Sequence, residues 1–450
     1  MIQIDIGFGV FTIFKFISIQ SMKYKPIASE LFVGNRKKLA KLLAPGSIAI
    51  FQSNDVMPTS ADGTMPFVQD ADLYYLTGID QEETILVMSP NFPDEKMREI
   101  LFLKKTNEHI AVWEGHKYTK DEAREASGIT IILWTDDFEQ SIGTLMAEAH
   151  EVYLNSNEHL RAVVEVETRN ARFIKWCQTH YPLHNYRKVA PLMHKLRAIK
   201  SEHEIKQIAT ACDITEKGFR RVLEFVQPGV TEYEIEAEYL HDFIRNRSDG
   251  FAYDPIIASG DRACVLHYVE NNKTCQQGEV LLMDVGASYA RYNADMTRSI
   301  PVSGRFTKRQ AAVYDAVLLV MREAMEMLTP GNTISQYHKE VGLRMESELV
   351  GLGLLDRTDI KHQDPSRPAY KKYFMHGTSH HLGLNVHDVG NIYRPFESGM
   401  VFTVEPGIYI PDEGLGIRLE NNVVIQENGI LDLMENIPLQ PEEIEDIMNS

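Results

Sequence analysis

Residues 279–302 read EVLLMDVGASYARYNADMTRSIPV. Two apolar runs flank a turn containing Gly, Ser and Asn, and each run carries one acid, Asp284 and Asp295. Short apolar runs between turn signals read as strands. A carboxylate inside such a strand is expensive unless it is paired or bound to a cation. Paired antiparallel, the two runs bring their acids face to face. Further on, MVFTVEPGIYI (400–410) and GIRLENNVVI (416–425) repeat the arrangement with Glu405 and Glu420. Taken singly, each acid fits an edge strand or a surface ion pair. Four in matching positions describe a site.

The surrounding punctuation is also doubled. Ile205, Ile208, Cys212, Phe219, Leu223 and Val226 recur at helical spacing and form one apolar face. Pro228-Gly229 ends that helix, and Thr231 with Glu234 forms a capping box for the next. A second helix, from about Lys308 to Leu328, is ended by Pro330-Gly331, and Thr333 starts another. After each P-G-x-T signal come a helix, a loop with a histidine (LHY at 266–268, MHG at 375–377) and paired strands. Residues 196–450 therefore read as a duplicated α+β unit. Its chemistry is expected at the interface of the two halves.

Residues 376–390, HGTSHHLGLNVHDVG, hold four histidines. Four carboxylates and one imidazole from this stretch make a hard, oxygen-rich donor set. That set suits Mn²⁺, Mg²⁺, Fe²⁺ or Co²⁺ better than a structural zinc. Its charge calls for two divalent ions, which at a separation of about 3.5–4 Å share a hydroxide and polarise a carbonyl.

The N-terminal part looks different. Residues 28–43 read as a helix. Strand-like runs follow, SIAIF (47–51), LYYLTG (73–78), ETILVM (83–88) and EILFL (99–103), alternating with helical pieces such as KDEAREAS (120–127). This describes an α/β domain over residues 22–195. Residues 1–21 hold an apolar run, Ile6 to Ile19, broken by Lys15 and too short to span a bilayer. It lacks the basic start and small-residue cleavage site of a signal peptide. The expectation is a non-domain extension with translation starting at Met22; a weak export signal is the alternative.

Composition narrows the partners. With 46 basic and 64 acidic residues the net charge is −18, which argues against nucleic acid or an anionic membrane as the main partner. None of Cys177, Cys212, Cys264 and Cys275 forms a C-x-x-C, so a reducing, cytoplasmic setting fits.

With these residues assembled, the sequence resembles the pita-bread metallopeptidases: methionyl aminopeptidase, aminopeptidase P and prolidase. The motifs are LLMDVGASYARYNADMTRS (281–299), HGTSHHLGLNVHDVG (376–390), FTVEPGIYI (402–410) and GIRLEN (416–421). FVQDADLYYLTGIDQEETILV (67–87) resembles the domain preceding the catalytic one in aminopeptidase P and prolidase. The spelling of 376–390 is nearer to aminopeptidase P. The resemblance implies that Asp284, Asp295, His380, Glu405 and Glu420 bind two divalent ions, best supported by Mn²⁺, with Co²⁺, Fe²⁺ or Zn²⁺ as substitutes. Asp295 and Glu420 match the bridging pair. His267, His376 and His387 match the non-ligand histidines, and Arg418 and Tyr409 match supporting positions; His381 receives no role and is expected on a partly exposed loop. The implied reaction releases an N-terminal residue from a following proline by attack of a metal-bridging hydroxide, with Glu405 relaying the proton and His376 or a metal facing the oxyanion. A prolidase-like dipeptidase is the alternative, and a non-catalytic pita-bread binding protein a further one. The family also implies a homodimer or homotetramer, with Trp113 either reaching a neighbouring subunit or buried in the N-terminal domain.

Overall fold

Capping side chains and left-handed glycines set the limits of the early elements. A computed structural model describes residues 23–450, and the expectation for residues 1–21 lies outside them. The chain divides into two compact units, one ending at Arg197 and one beginning at Ala198.

The first unit is built on a six-stranded mixed sheet of β1 (Ser47–Gln52), β2 (Ile85–Met88), β3 (Glu99–Leu103), β4 (Ile131–Trp134), β5 (Glu151–Leu154) and β6 (Asn185–Lys188), in the order β4-β3-β2-β1-β5-β6. The central pairs β1/β2 and β2/β3 are antiparallel and the outer pairs parallel. Ile48, Ile50, Val87, Ile100, Phe102, Ile142 and Val152 form its core. One expected strand is a helix. LYYLT lies within Ala71–Thr77, because the Asp70 side chain accepts from the backbone N–H of Asp72 and Leu73, and the following Gly78 closes the helix at φ 68°. Local capping here overrides the β preference of the aromatic residues.

In the second unit the helix Glu202–Phe225 buries Ile208, Cys212, Phe219 and Leu223 on the expected face. Thr231 and Glu234 form the capping box of Glu232–Arg245. The helices Lys308–Met327 and Ile334–Gly351 take the same places in the second half, with Thr333 capping the latter. The two P-G-x-T turns are tied down alike. Gly229 N–H donates to Cys275 and Gly331 N–H to Phe396, while Thr231 bridges Thr274 and Thr333 bridges Pro395. A shared set of turn bonds is what duplication of one unit produces.

The strands of the first half are β7 (Gly250–Phe251), β8 (Ile256–Ser259), β9 (Val280–Val285), β10 (Ala287–Tyr289), β11 (Tyr292–Asn293) and β12 (Met296–Pro301); those of the second are β13 (Val401–Val404), β14 (Gly407–Ile410), β15 (Leu415–Arg418), β16 (Asn421–Ile425) and β17 (Ile430–Asp432). They form sheets in the orders β12-β9-β8 and β13-β16-β17, with the smaller sets β14-β15 and β11-β10-β7 beside them. The register corrects one expectation. Asp284 stands opposite Thr297, not Asp295. Asp295 precedes β12 and is the diagonal neighbour on the same face, two residues along. Among the described residues no helix is long and apolar enough to cross a membrane.

Candidate metal centre

Three of the four acids sit just outside strands. Asp295 precedes β12, Glu405 follows β13 and Glu420 falls between β15 and β16, while Asp284 alone lies within a strand. Their backbones leave the ladders as the carboxylates turn inward. One donor atom each from Asp295, His380 and Glu420 lie within 4.8 Å of one another. His380 Nε2 is 3.4 Å from Asp295 Oδ2 and 3.7 Å from Glu405 Oε1. Its Nδ1 bonds to the His381 carbonyl at 2.9 Å, which leaves Nε2 as the atom presented to the acids. Tyr253 closes the other side, its hydroxyl 2.6 Å from Asp284 Oδ1 and 2.6 Å from Asp295 Oδ1.

A directed hydrogen-bond chain backs the acids. Arg418 Nη2 donates to Asp284 Oδ2 at 2.6 Å, Nη1 to the Tyr409 hydroxyl at 2.8 Å and Nε to Thr297 Oγ1 at 3.1 Å. Tyr409 in turn lies 2.7 Å from His376 Nε2, and His376 Nδ1 lies 2.8 Å from the Gly377 carbonyl. With Nδ1–H given to that carbonyl, Nε2 accepts from Tyr409. Burial first, then Arg418, pushes the His376 pKa down to about 3 and keeps the ring neutral. Burial lifts the Tyr409 phenol to about 12, against the pull of Arg418.

The donor set fits a cation. Burial, then the approach of Asp295, pushes Glu405 up to about 7, even with His380 opposing it. Burial and repulsion from Asp295 and Glu405 raise Glu420 well above the usual carboxylate range. Asp284 is raised by burial in spite of Arg418. Burial disfavours a charged His380, yet Asp295 and Glu405 outweigh it and hold its pKa up. Glu420 Oε1 is buried with no hydrogen-bond partner. An orphaned carboxylate oxygen beside a basic nitrogen and further acids is what a bound divalent ion satisfies. The five groups can hold such ions.

The structure thus gathers Asp284, Asp295, His380, Glu405 and Glu420 with Arg418, Tyr409 and His376. His387 stacks edge-on against His380, with ring centroids 4.3 Å apart. His267 is exposed on the loop after β8, close enough to His376 for the two rings to interact electrostatically. The acids therefore form a floor, Asp295 and Glu420 buried and Asp284 and Glu405 half-buried, and His267 and His387 an exposed rim. His381 differs from expectation: it is 8% exposed and lies on the Phe402 ring, with centroids 4.2 Å apart. Its backbone bridge to Phe402 carries the ring into the core. Trp113 is 79% exposed on the helix Glu108–Glu114, which overturns its burial in the N-terminal domain. Tyr253, Thr297 and Asn422 were not legible as site residues, since each sits in a segment with no acid or histidine pattern of its own or is masked by a stronger neighbour.

This fold and donor set define a metallopeptidase. Residues 206–427 match the model of metallopeptidase family M24, and residues 32–153 that of the aminopeptidase P N-terminal domain. The chain is 34% identical to the Xaa-Pro aminopeptidase of Escherichia coli over 441 residues, 94% of this chain and 98% of that protein. It is 29% identical to human Xaa-Pro aminopeptidase 3, over 88% of this chain and 79% of that one. A solved structure of zinc-substituted E. coli aminopeptidase P with product superposes with a TM-score of 0.83 at 33% identity, covering 94% of this chain and 99% of that one. Proline aminopeptidase P II of Yersinia pestis gives 0.83 at 32%, covering 94% and 100%. The chain belongs to the aminopeptidase P group of family M24.

Proposed function

We propose that this chain hydrolyses the bond between an N-terminal residue and a following proline, with two divalent ions, best Mn²⁺, held by Asp284, Asp295, His380, Glu405 and Glu420. The observation carrying the proposal is the approach of Asp295 and Glu405 to His380 Nε2, with Glu420 in the same donor group, its Oε1 unpartnered, and Asp284 joined to Asp295 through the Tyr253 hydroxyl. Such ions supply Lewis acidity and a water acidic enough to serve as nucleophile near neutral pH. Glu405 is assigned to taking a proton from that water and delivering it to the leaving nitrogen. His267 and His387 on the rim are assigned to hydrogen-bonding the peptide. His376 is held neutral, aligned by Tyr409, and is assigned to the region where the carbonyl oxygen develops charge. A proline nitrogen within a peptide has no hydrogen, so recognition must come from ring shape rather than a grip on N–H.

A continuing chain past proline is favoured over a bare dipeptide. A dipeptidase needs a cation for the carboxylate that follows proline. Arg418 is taken, and by Asp284, Tyr409 and Thr297 rather than by direct bonds to Glu405 or Glu420. The complete donor set disfavours a non-catalytic binding role. The acidic composition and free cysteines support a cytoplasmic enzyme. Val112 and Trp113, exposed together on a helix that buries nothing within its own unit, support a homodimer or homotetramer. We take 22–195 and 196–450 as the domains. Elemental analysis with a peptide panel, with and without Mn²⁺, tests the reading. Two ions per chain and Mn²⁺-dependent cleavage of Xaa-Pro peptides are expected; full activity in chelator would overturn it.

A further inference from the structure

Two strands from opposite halves pass each other at the centre of the site in one antiparallel register. Asp295 meets Asn422, Thr297 meets Glu420, and Ser299 meets Arg418. Each series advances by two residues, so each presents a single face. All six residues are buried. The bonds alternate between side chain and main chain. The Asn422 carboxamide clasps the Asp295 backbone, with Nδ2 donating to its carbonyl at 2.6 Å and Oδ1 accepting from its N–H at 3.0 Å. Cys212 Sγ lies 3.5 Å from the same Oδ1, which agrees with that end being the oxygen. Thr297 Oγ1 donates to Glu420 Oε2 at 2.7 Å, while Glu420 N–H donates to the Thr297 carbonyl at 3.0 Å. Ser299 Oγ contacts both the N–H and the carbonyl of Arg418 at 3.2 Å.

Neither strand finds its ladder partner here. β12 pairs with β9, β15 with β14, and β16 with β13 and β17. Between the halves, the main-chain bond from Glu420 N–H to the Thr297 carbonyl is flanked by side-chain bonds at Asn422 and Ser299. The relation is reciprocal. The residue two beyond Asp295 holds Glu420, and the residue two beyond Glu420 holds Asp295. The buried Arg298 braces the crossing from behind, donating to the Glu420 carbonyl at 2.6 Å and to Asn421 Oδ1 at 2.7 Å.

We propose that this crossed ladder is the gauge that sets the separation of the Asp295 and Glu420 carboxylates, and that Thr297 and Asn422 are its positioning residues. The proposal rests on the assignment of Asp295 and Glu420 as metal ligands. Because Asp295 and Glu420 lie just outside their own strands, each is held from the opposite half. A slip of one half against the other would move one carboxylate relative to the other, and ion binding tolerates only small displacements.

The test uses the full-length chain, freed of metal and titrated with Mn²⁺ by calorimetry. Thr297→Val keeps the side-chain shape and removes the hydroxyl; Asn422→Ala removes the clasp. Both are expected to weaken Mn²⁺ binding about 10–100-fold and to lower kcat with little change in KM, and Thr297→Ser is expected to restore both. Thermal unfolding of the metal-free variants separates this from a purely structural role, which would lower Tm and leave Mn²⁺ affinity intact. Folded Thr297→Val with wild-type Mn²⁺ affinity overturns the proposal, and it decides the matter even where Asn422→Ala does not fold. A wild-type chain that binds no Mn²⁺ overturns the ligand assignment itself, a separate and recognisable outcome.

Discussion

His380 and His381 are adjacent, yet one faces the acids and the other lies on Phe402. Their substitutions should diverge. Asp295→Asn should lower kcat at least about 100-fold and weaken Mn²⁺ binding, since an amide offers one neutral oxygen where a carboxylate offers two charged ones. The fold should survive, as the backbone clasp from Asn422 is unaffected. Near-normal turnover would remove Asp295 from the ligand set. His381→Ala should instead cost stability, about 1–3 kcal/mol by denaturant midpoint, through loss of a buried ring. Its Mn²⁺ stoichiometry should remain two; loss of an ion from a folded variant would show that the wrong histidine of the pair had been chosen.

At the scale of elements, the β9–β12 pair is the most constrained part of the centre. Gly286 lies between Asp284 and Asp295 in sequence, and a Cβ there would stand 1.9 Å from the Ala294 carbonyl oxygen. The contact is with backbone, so nothing flexible can yield. Gly286→Ala should drive the two segments apart, costing about 1–3 kcal/mol or more and weakening Mn²⁺ binding as Asp284 and Asp295 separate. Calorimetry and urea unfolding measure both; a variant with wild-type values in each would mean that the backbone relaxes freely there. The helix Ala71–Thr77 gives the complementary lesson. Its composition favours a strand, and two cap positions reverse the outcome.

The whole molecule should answer to pH through the acids. Glu405, Glu420 and Asp284 have folded-state pKa values raised above their ordinary ones, so without metal the folded chain holds protons that the unfolded chain has released. Stability must then fall as pH rises through that interval. His380, also raised, acts in the same direction. His376, depressed to about 3, acts oppositely, but only below its ordinary value of 6.5. The metal-free chain should therefore lose Tm as pH rises from 6.5, above which His376 no longer opposes the trend, through about 7, and Mn²⁺ should restore most at the upper end. A metal-free Tm that rises over this range would contradict the environment assigned to the acids. For substrates, kcat/KM should be at least as high for Ala-Pro-Ala and longer Ala-Pro peptides as for Ala-Pro, because Arg418 is occupied. Strong preference for the dipeptide would make the enzyme a prolidase.

The sequence by itself determined the acids, the histidine stretch and the doubled P-G-x-T punctuation. These signals are local: a charged residue in an apolar run, a cap three residues from its partner, a glycine after a helix. They were enough to indicate the α+β duplication and the four candidate acids, while the choice of His380 among four histidines rests on the family resemblance. Tertiary structure decided what depends on register and on side-chain direction. Asp284 stands opposite Thr297 and not Asp295, because strand pairing is fixed by the whole hairpin. Tyr253 lies against two acids 31 and 42 residues away. Thr297 and Asn422, ordinary polar residues in the sequence, acquire partners more than 120 positions distant. Such bonds exist only once the two halves are packed, since no periodicity along one strand encodes the face that another strand presents to it.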